Sequence, residues 1–310
     1  RNRNSLRYRT ITVTDTTAPT ITCPANITVT ADLGQPNANI TIALPSVSDN
    51  CDANVAYTND YTGVEDASGI YNLGTTTVTY TATDNCGNTT QCSFTVTVND
   101  NEAPEINCPP TITVSCIDLV PAAYSNYAEF LAAGGSATDN NGIDQATFAL
   151  VSETSDNNSC PETISRVYTI SDTNGNSSEC TQFIIVNDEI DPVAPSAPAD
   201  ISYECASDVP AAVDLTATDN CAGDITVTGV DSIDNTDPCN VIITRTWTFT
   251  DSCSNSSSVS QTITVTDTTA PVAPSAPADI AYECAADVPA AGDLTATDNC
   301  AGDITVTGVD

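Results

Sequence analysis

The chain lacks histidine, lysine and methionine altogether, and it has one tryptophan and six arginines in 310 residues. Without histidine, the Ser-His-Asp and Cys-His arrangements that activate a nucleophile cannot be assembled. Without lysine, an isopeptide staple of the usual kind is excluded. No apolar run approaches the ~18 residues of a membrane-spanning helix, no signal peptide is visible, and no glycine-rich loop precedes a helix to cradle phosphate. Positive charge is equally scarce. Arg1, Arg3, Arg7 and Arg9 fall in the first nine residues, so the rest is close to a polyanion, with 41 acidic residues overall. Such a chain repels nucleic acid and anionic membrane surfaces. The expectations are no nucleic-acid partner, no membrane insertion by this region and no enzymatic activity. A carboxylate pair could cleave glycosides, but the aspartates described below recur in every repeat, as a structural device does and a single active site does not.

Acidity with few aromatics can signal disorder. Here 40% of residues are hydrophobic, and they alternate strictly with polar ones, which argues for folded units. The segment Pro192–Asp231 returns 79 residues later as Pro271–Asp310, with only Ser202, Ser207 and Val213 changed, to Ala281, Ala286 and Gly292. Near-verbatim copying marks a tandem array. The second copy breaks off mid-unit, so the sequence is expected to be a window on a longer polypeptide. A strand-like ending recurs as Tyr8–Asp15, Phe94–Asp100, Phe183–Asp188 and Ile263–Asp267, each followed four residues later by Pro19, Pro104, Pro192 or Pro271. This punctuation predicts repeats over 16–100, 101–188 and 189–267, a partial repeat over 268–310, and, in residues 1–15, the last strand of an upstream repeat.

Within repeat one, Ile27–Thr30, Asn39–Ala43, Val55–Thr58, Thr76–Ala82 and Ser93–Val98 alternate with period two and are separated by Gly, Pro and Asp turn signals. No segment shows helical periodicity. About seven short strands per repeat predict an all-β fold of immunoglobulin-like β-sandwiches, stacked in tandem into an elongated rod. Val78, Tyr80 and Ala82 read as the inward face of one strand. Tyr168 and Trp247 stand where Tyr80 does, so Trp247 is expected to be a core aromatic rather than a ligand platform. Arg166 and Arg245 stand where Val78 does, and each should pair with a carboxylate, since a lone buried charge is costly.

Fourteen cysteines without His or CxxC pairs read as disulfides and place the chain in an oxidising, extracellular setting. Laying the repeats over one another sorts them into classes that are gained and lost together. Cys23 and Cys92 correspond to Cys108 and Cys180, and both are lost in repeat three. Cys51 and Cys86 correspond to Cys221 and Cys253, and both are replaced in repeat two, by Asn141 and Asn174. Cys116 and Cys160 correspond to Cys205 and Cys239, and both are replaced in repeat one, by Ala31 and Asn72. Joint presence predicts the bridges Cys23–Cys92, Cys51–Cys86, Cys108–Cys180, Cys116–Cys160, Cys205–Cys239 and Cys221–Cys253, with Cys284 and Cys300 paired beyond Asp310.

Two acidic loops also recur. Asp49, Asp139, Asp219 and Asp298 each precede an asparagine in the first loop, and Asp84, Asp172 and Asp251 open the second. In a sandwich these are the B–C and F–G loops, at the end where the incoming linker aspartate (Asp15, Asp100, Asp188 or Asp267) arrives. Carboxylates and amide oxygens at one place suit Ca²⁺, which takes ~6–8 oxygen ligands. The expected ligand sets are Asp15, Asp49 and Asp84; Asp100, Asp139 and Asp172; Asp188, Asp219 and Asp251; and Asp267 with Asp298. The same aspartates could instead serve only to cap their own loops as Asx-turns. Asp-Thr-Thr at 15–17 and 267–269 and Asp-Ser-Ile at 231–233 resemble the O-glycosylation acceptor triplet of Bacteroidota, which would modify Thr16, Thr268 and Ser232.

At Thr22-Cys23-Pro24-Ala25-Asn26-Ile27-Thr28-Val29, Asp49-Asn50-Cys51 and Thr83-Asp84-Asn85-Cys86-Gly87-Asn88, the chain resembles the hyalin-repeat (HYR) family. Repeat one matches well and repeat two moderately; repeat three, which lacks the Cys-Pro start, is a divergent variant. The resemblance implies an immunoglobulin-like fold and extracellular adhesive or stalk roles. Low lysine, Thr and Asp richness and near-identical copies look like the giant type IX-secreted gliding adhesins of Bacteroidota. That likeness implies a non-catalytic stalk of a cell-surface filament attached at the outer membrane, spacing an adhesive part and transmitting force. Its partners would be neighbouring repeats of the same chain and the outer-membrane motility machinery. The rival reading is a repeat that itself binds surface polysaccharide through Ca²⁺.

Overall fold

The computed structural model describes residues 9–309; Arg1, Arg3, Arg7, Tyr8 and Asp310 lie outside the described residues. The described chain is almost entirely β-structure. Repeat one runs through β1 (Thr20–Thr22), β2 (Ile27–Thr30), β3 (Asn37–Ile40), β4 (Ser46–Ser48), β5 (Ala56–Asn59), β6 (Gly69–Asn72), β7 (Gly74–Thr83) and β8 (Thr89–Asn99). Repeat two holds β9 (Glu105–Asn107), β10 (Ile112–Val114), α1 (Tyr127–Ala132), β11 (Ser136–Thr138), β12 (Ile143–Ser155), β13 (Glu162–Asp172) and β14 (Ser177–Val186). Repeat three holds β15 (Ile201–Tyr203), β16 (Asp214–Asp219), β17 (Gly223–Thr228), β18 (Val230–Asp234), β19 (Val241–Thr250) and β20 (Ser256–Val265). The last segment begins the pattern again with β21 (Leu294–Asp298) and β22 (Gly302–Val306).

The same four-stranded sheet is built three times, in the orders β2-β8-β7-β5, β10-β14-β13-β12 and β15-β20-β19-β18. In each, a short early strand lies parallel to the repeat's last strand: Ile27 opposite Val96, Ile112 opposite Ile184, and Ile201 opposite Ile263. The long hairpins β7–β8 and β19–β20 are antiparallel. Two-stranded ladders β1-β4, β3-β6, β9-β11 and β16-β17 supply the second layer. This is the tandem β-sandwich organisation that the alternating pattern predicts.

Compact packing divides the chain into two units. The first comprises residues up to Thr111 with Ala122–Thr154 and Ser165–Phe183; the second comprises Ile112–Pro121, Ser155–Ile164 and everything from Ile184 onward. In the first, Val78, Tyr80 and Ala82 of β7 are fully buried with Tyr71, Phe94 and Val96. A separate aromatic cluster joins Tyr127 and Phe130 of α1 to Phe148 and Tyr168, with the Phe130 and Phe148 rings 4.9 Å apart. In the second, Trp247 and Phe249 pack with Ala217, while Ile243, Ile263 and Val265 form another cluster. The Trp247 indole N–H donates to the Val213 carbonyl at 2.8 Å, so the ring is a satisfied core aromatic.

Residues 9–15 have no strand partner among the described residues, and Ile11 and Val13 are exposed. A strand needs a neighbour for its backbone groups, and no described residue pairs with these. Repeat two contains a helix where none is predicted. Asn126 caps it, accepting from Glu129 N at 3.0 Å, while the Glu129 carboxylate accepts from Ser125 N at 2.8 Å. This capping, in which the Glu129 carboxylate reaches back past the cap to the residue before it, stabilises six residues, too few to show a helical period. Phe130 and Tyr127 anchor the helix in the core, and Gly134 ends it at φ +96°, a conformation that glycine adopts without strain.

Candidate functional site

Each repeat begins with the same polar construction. The F–G-loop aspartate is held first. In Asp84, Oδ1 accepts from Cys86 N at 2.9 Å and Asn88 N at 2.7 Å, and Oδ2 accepts from Asn88 Nδ2 at 2.7 Å. Asp172 with Asn174 and Asn176, and Asp251 with Cys253 and Asn255, repeat this pattern. Burial pushes the Asp84 and Asp172 carboxyls up, but the donors on them, led by the Asn88 and Asn176 side chains, outweigh it and hold both below the usual carboxylate value. The same asparagines reach back to the incoming linker: Asn88 Nδ2 donates to the Asp15 carbonyl at 3.3 Å, Asn176 to Asp100 at 3.3 Å, and Asn255 to Asp188 at 2.9 Å. This tie between loop and linker was not read from the sequence, although the recurrent Asp-x-x-x-Asn spacing carries it.

The B–C-loop aspartate is held differently. Asp49, Asp139 and Asp219 each turn Oδ1 onto their own loop, accepting from Cys51, Asn141 and Cys221 N. Their Oδ2 atoms are buried and without a hydrogen-bond partner, as are Oδ2 of Asp15 and Asp100. The Asx-turn reading therefore accounts for one oxygen of each B–C-loop aspartate and leaves the other unexplained. One carboxylate oxygen from each member of Asp15/Asp49/Asp84, of Asp100/Asp139/Asp172 and of Asp188/Asp219/Asp251 lies within 4.8 Å of the others. Asp267 and Asp298 come together likewise, beside Cys300.

The Asp100 group is the most completely built. Asp100 is 7% exposed and Asp172 2%. Asn140 adds a buried, unpartnered Oδ1, while its Nδ2 donates to Glu102 Oε2 and the Gln35 carbonyl, both at 3.2 Å. Burial raises the Asp139 carboxyl; the backbone donor from Asn141 opposes that, and the charges of Asp100, Asp172 and Glu102 reinforce it. Leaving buried acceptors unpaired costs ~1–3 kcal/mol each, and like-charged carboxylates this close repel. A hard cation taking carboxylate and amide oxygens would relieve both costs, so the donor set fits Ca²⁺.

The disulfides lie beside these clusters, and part of their expected pairing is corrected. The structure bonds Cys23 to Cys92 and Cys108 to Cys180. It bonds Cys116 to Cys221, Cys160 to Cys253 and Cys205 to Cys300, replacing the expected Cys116–Cys160, Cys221–Cys253 and Cys205–Cys239 and the expectation that Cys300 pairs beyond Asp310. Cys51, Cys86, Cys239 and Cys284 are unbonded and exposed, so the expected Cys51–Cys86 bridge is absent. The reason is positional. Cys116 follows β10 at the exit end of repeat two, and Cys221 sits in the B–C loop at the entry end of repeat three, with Cα atoms 5.2 Å apart. Cys160 and Cys253 approach in the same way, at 5.1 Å. Both bridges and Asp188 line a single cleft. Of the candidate glycosylation residues, Thr16, Ser232 and Thr268 are all exposed; Thr268 Oγ1 donates to Glu204 at 2.7 Å.

Tandem sandwiches with an acidic cluster at each entry end define a class of repeat, and comparison with known proteins finds family matches for two stretches of the chain. Residues 14–98 match the HYR domain, and residues 193–265 match the HYR-like domain with 4 cysteines. The chain therefore contains two stretches of HYR-type sequence. It is 31% identical over 190 residues to hyalin of Strongylocentrotus purpuratus, covering 60% of this chain and 15% of that protein. It is 29% identical over 214 residues to a rat (Rattus norvegicus) sushi, von Willebrand factor type A, EGF and pentraxin domain-containing protein, covering 66% of this chain and 5% of that one. The chain thus spans a small part of the length of these relatives. Among solved structures, protocadherin gamma B2 extracellular cadherin domains 1–5 align with 81% of this chain and 60% of theirs, at 13% identity and a TM-score of 0.35.

Proposed function

We propose that this region is a non-catalytic stalk segment of an extracellular surface adhesin, in which Ca²⁺ and disulfides stiffen the joints between HYR repeats. The observation that carries the reading is recurrence: the same three carboxylates, with buried unpartnered oxygens, return at the start of repeats one, two and three. Such recurrence is what a joint requires, because an interface is made between every pair of neighbouring repeats. Asp15, Asp49 and Asp84, then Asp100, Asp139 and Asp172, then Asp188, Asp219 and Asp251 would hold one cation each, with Asp267 and Asp298 contributing to a fourth. The cation supplies charge neutralisation only. Five disulfides accord with an oxidising, extracellular location. Among the described residues no helix is long and apolar enough to cross a membrane.

Spacing of a distal adhesive part, service in a type IX-secreted gliding filament of Bacteroidota and contact with outer-membrane motility machinery belong to this proposal, as does O-glycosylation of Thr16, Ser232 and Thr268. The test applies the 310-residue chain to a panel of cell-surface polysaccharides, with Ca²⁺ and with EDTA. A stalk binds none of them in either condition, yet loses thermal stability in EDTA. Ca²⁺-dependent retention on a polysaccharide would overturn the stalk in favour of a repeat that itself binds glycan.

A further inference from the structure

Four cysteines remain without a bridge, and their positions within the repeats say what each is for. Cys51 and Cys86 occupy the places of Cys221 and Cys253, which are bonded to the repeat before them through Cys116 and Cys160. Local geometry agrees. Cys51 N donates to Asp49 Oδ1 at 2.9 Å and Asn50 Nδ2 lies 3.1 Å from the Cys51 sulfur. In the bridged Cys221 the corresponding distances are 2.9 and 2.8 Å, and in the bridged Cys300 they are 2.9 and 3.1 Å. Cys86 N meets Asp84 Oδ1 at 2.9 Å, as Cys253 N meets Asp251 Oδ1 at 2.8 Å. On the exit side, Pro238, next to Cys239, lines a cleft with Cys205, Cys300 and Asp267, just as Cys160 lines the cleft of Cys116, Cys221 and Asp188. Cys284 stands where Cys205 and Cys116 do, at the start of a 3-10 turn.

We propose that Cys51 and Cys86 are the receiving half of a two-disulfide clamp closed by the preceding repeat, and that Cys239 and Cys284 are offered to the repeat that follows each. The Tyr8–Asp15 stretch has the alternating sequence pattern of a repeat's last strand. Cys239 takes the equivalent of Cys253 in the next repeat, and Cys284 takes the equivalent of Cys300. The joint between repeats one and two supplies the independent support. There all four clamp positions are missing together, as Ala31 and Asn72 on one side and Asn141 and Asn174 on the other. A clamp spanning two repeats requires that co-absence, because cysteines on one side alone would leave exposed thiols. Each bond forms by loss of two protons and two electrons from two thiols. The acceptor is a protein disulfide of the thiol-oxidase class, reduced to a dithiol by exchange. Along this chain the Asp188 joint is clamped and the Asp267 joint carries the Cys205–Cys300 bridge, whereas the Asp100 joint is open.

Non-reducing peptide mapping of the full-length protein, after alkylation of free thiols, tests this. Cys51 and Cys86 are expected in separate peptides, each linked to a cysteine of the preceding repeat. A Cys51–Cys86 link, a Cys239–Cys284 link, or alkylation of any of the four overturns the proposal. Because near-identical repeats give near-identical peptides, Cys86→Ser in the full-length chain provides a second measurement. One new labelled thiol in the preceding repeat, with Cys51 unlabelled, is the expected result; a labelled Cys51 overturns the clamp.

Discussion

Arg245 shows what a single side chain must do when the pattern places a charge on the buried face. It is 4% exposed. Its Nε and Nη2 fork onto Asp231 at 2.7 and 2.9 Å, and Nη2 also donates to the Pro210 carbonyl at 2.9 Å. Arg166 solves the same problem with Glu153, at 2.5 Å. Replacing Asp231 by alanine strands the guanidinium. The expected cost is about 2–3 kcal/mol, below the ~3–5 kcal/mol of a fully buried pair because Asp231 keeps 32% of its side chain exposed. Hydrogen bonding and the charge of Arg245 hold the Asp231 carboxyl below its ordinary value. A depressed folded value contributes stability above the unfolded carboxylate range, near ~3.9, and that contribution is lost as pH falls through the folded value. Urea unfolding should therefore separate wild type from Asp231→Ala at pH 7, and the two should converge in strong acid. An equal gap at both pH values would show that packing, not the ion pair, is what Asp231 supplies.

At the scale of elements, close approach and capping decide which substitutions the sandwiches tolerate. Gly229 precedes β18, and a Cβ there would sit 2.7 Å from Trp247 Cε2 and 2.9 Å from Arg245 Cγ. Gly229→Ala is expected to destabilise repeat three by about 1–3 kcal/mol through overpacking, measured by denaturant unfolding followed by Trp247 fluorescence. Asn126→Ala should cost about 1 kcal/mol by removing the cap of α1; because that helix carries Phe130 into the aromatic cluster, the loss should appear as a fall in near-ultraviolet circular dichroism. The strands were legible because Val78, Tyr80 and Ala82 alternate with threonines. The helix was not, since its signal is a cap and a glycine rather than a period. Among the sulfurs, joint gain and loss identifies the classes that travel together, and it suffices where both partners lie in one repeat, as Cys23 and Cys92 do. It cannot say which repeat holds the partner, because superposing the repeats erases the difference between a cysteine and its neighbour one copy along. The acidic residues were legible as recurrent loops, whereas the asparagine tie to the linker carbonyl and the unpartnered oxygens required coordinates.

For the whole molecule, net charge and local charge must be separated. The chain carries a formal charge of −35, which disfavours any compact state by self-repulsion. Simple salt screens that term, with a Debye length of ~8 Å at physiological ionic strength. Within a cluster, carboxylate oxygens lie inside 4.8 Å of one another and several are buried, so mobile ions screen them poorly and a cation bound among them acts directly. The two contributions have different signatures. Raising NaCl should stabilise the chain gradually and without saturation. CaCl₂ at matched ionic strength should add a saturable increment, about 2.7 kcal/mol per site at a concentration 100 times the dissociation constant, and EDTA should remove it. The variant Asp100→Asn with Asp139→Asn tests the open joint alone. It relieves the repulsion, so its stability without Ca²⁺ should equal or exceed that of wild type, while its response to Ca²⁺ should shrink by one site. Calorimetry in the two salts measures both quantities. If wild type and variant respond alike to CaCl₂, the Asp100 cluster holds no cation. If CaCl₂ and NaCl act identically on wild type, none of the clusters does, and the joints are held by disulfides and packing alone.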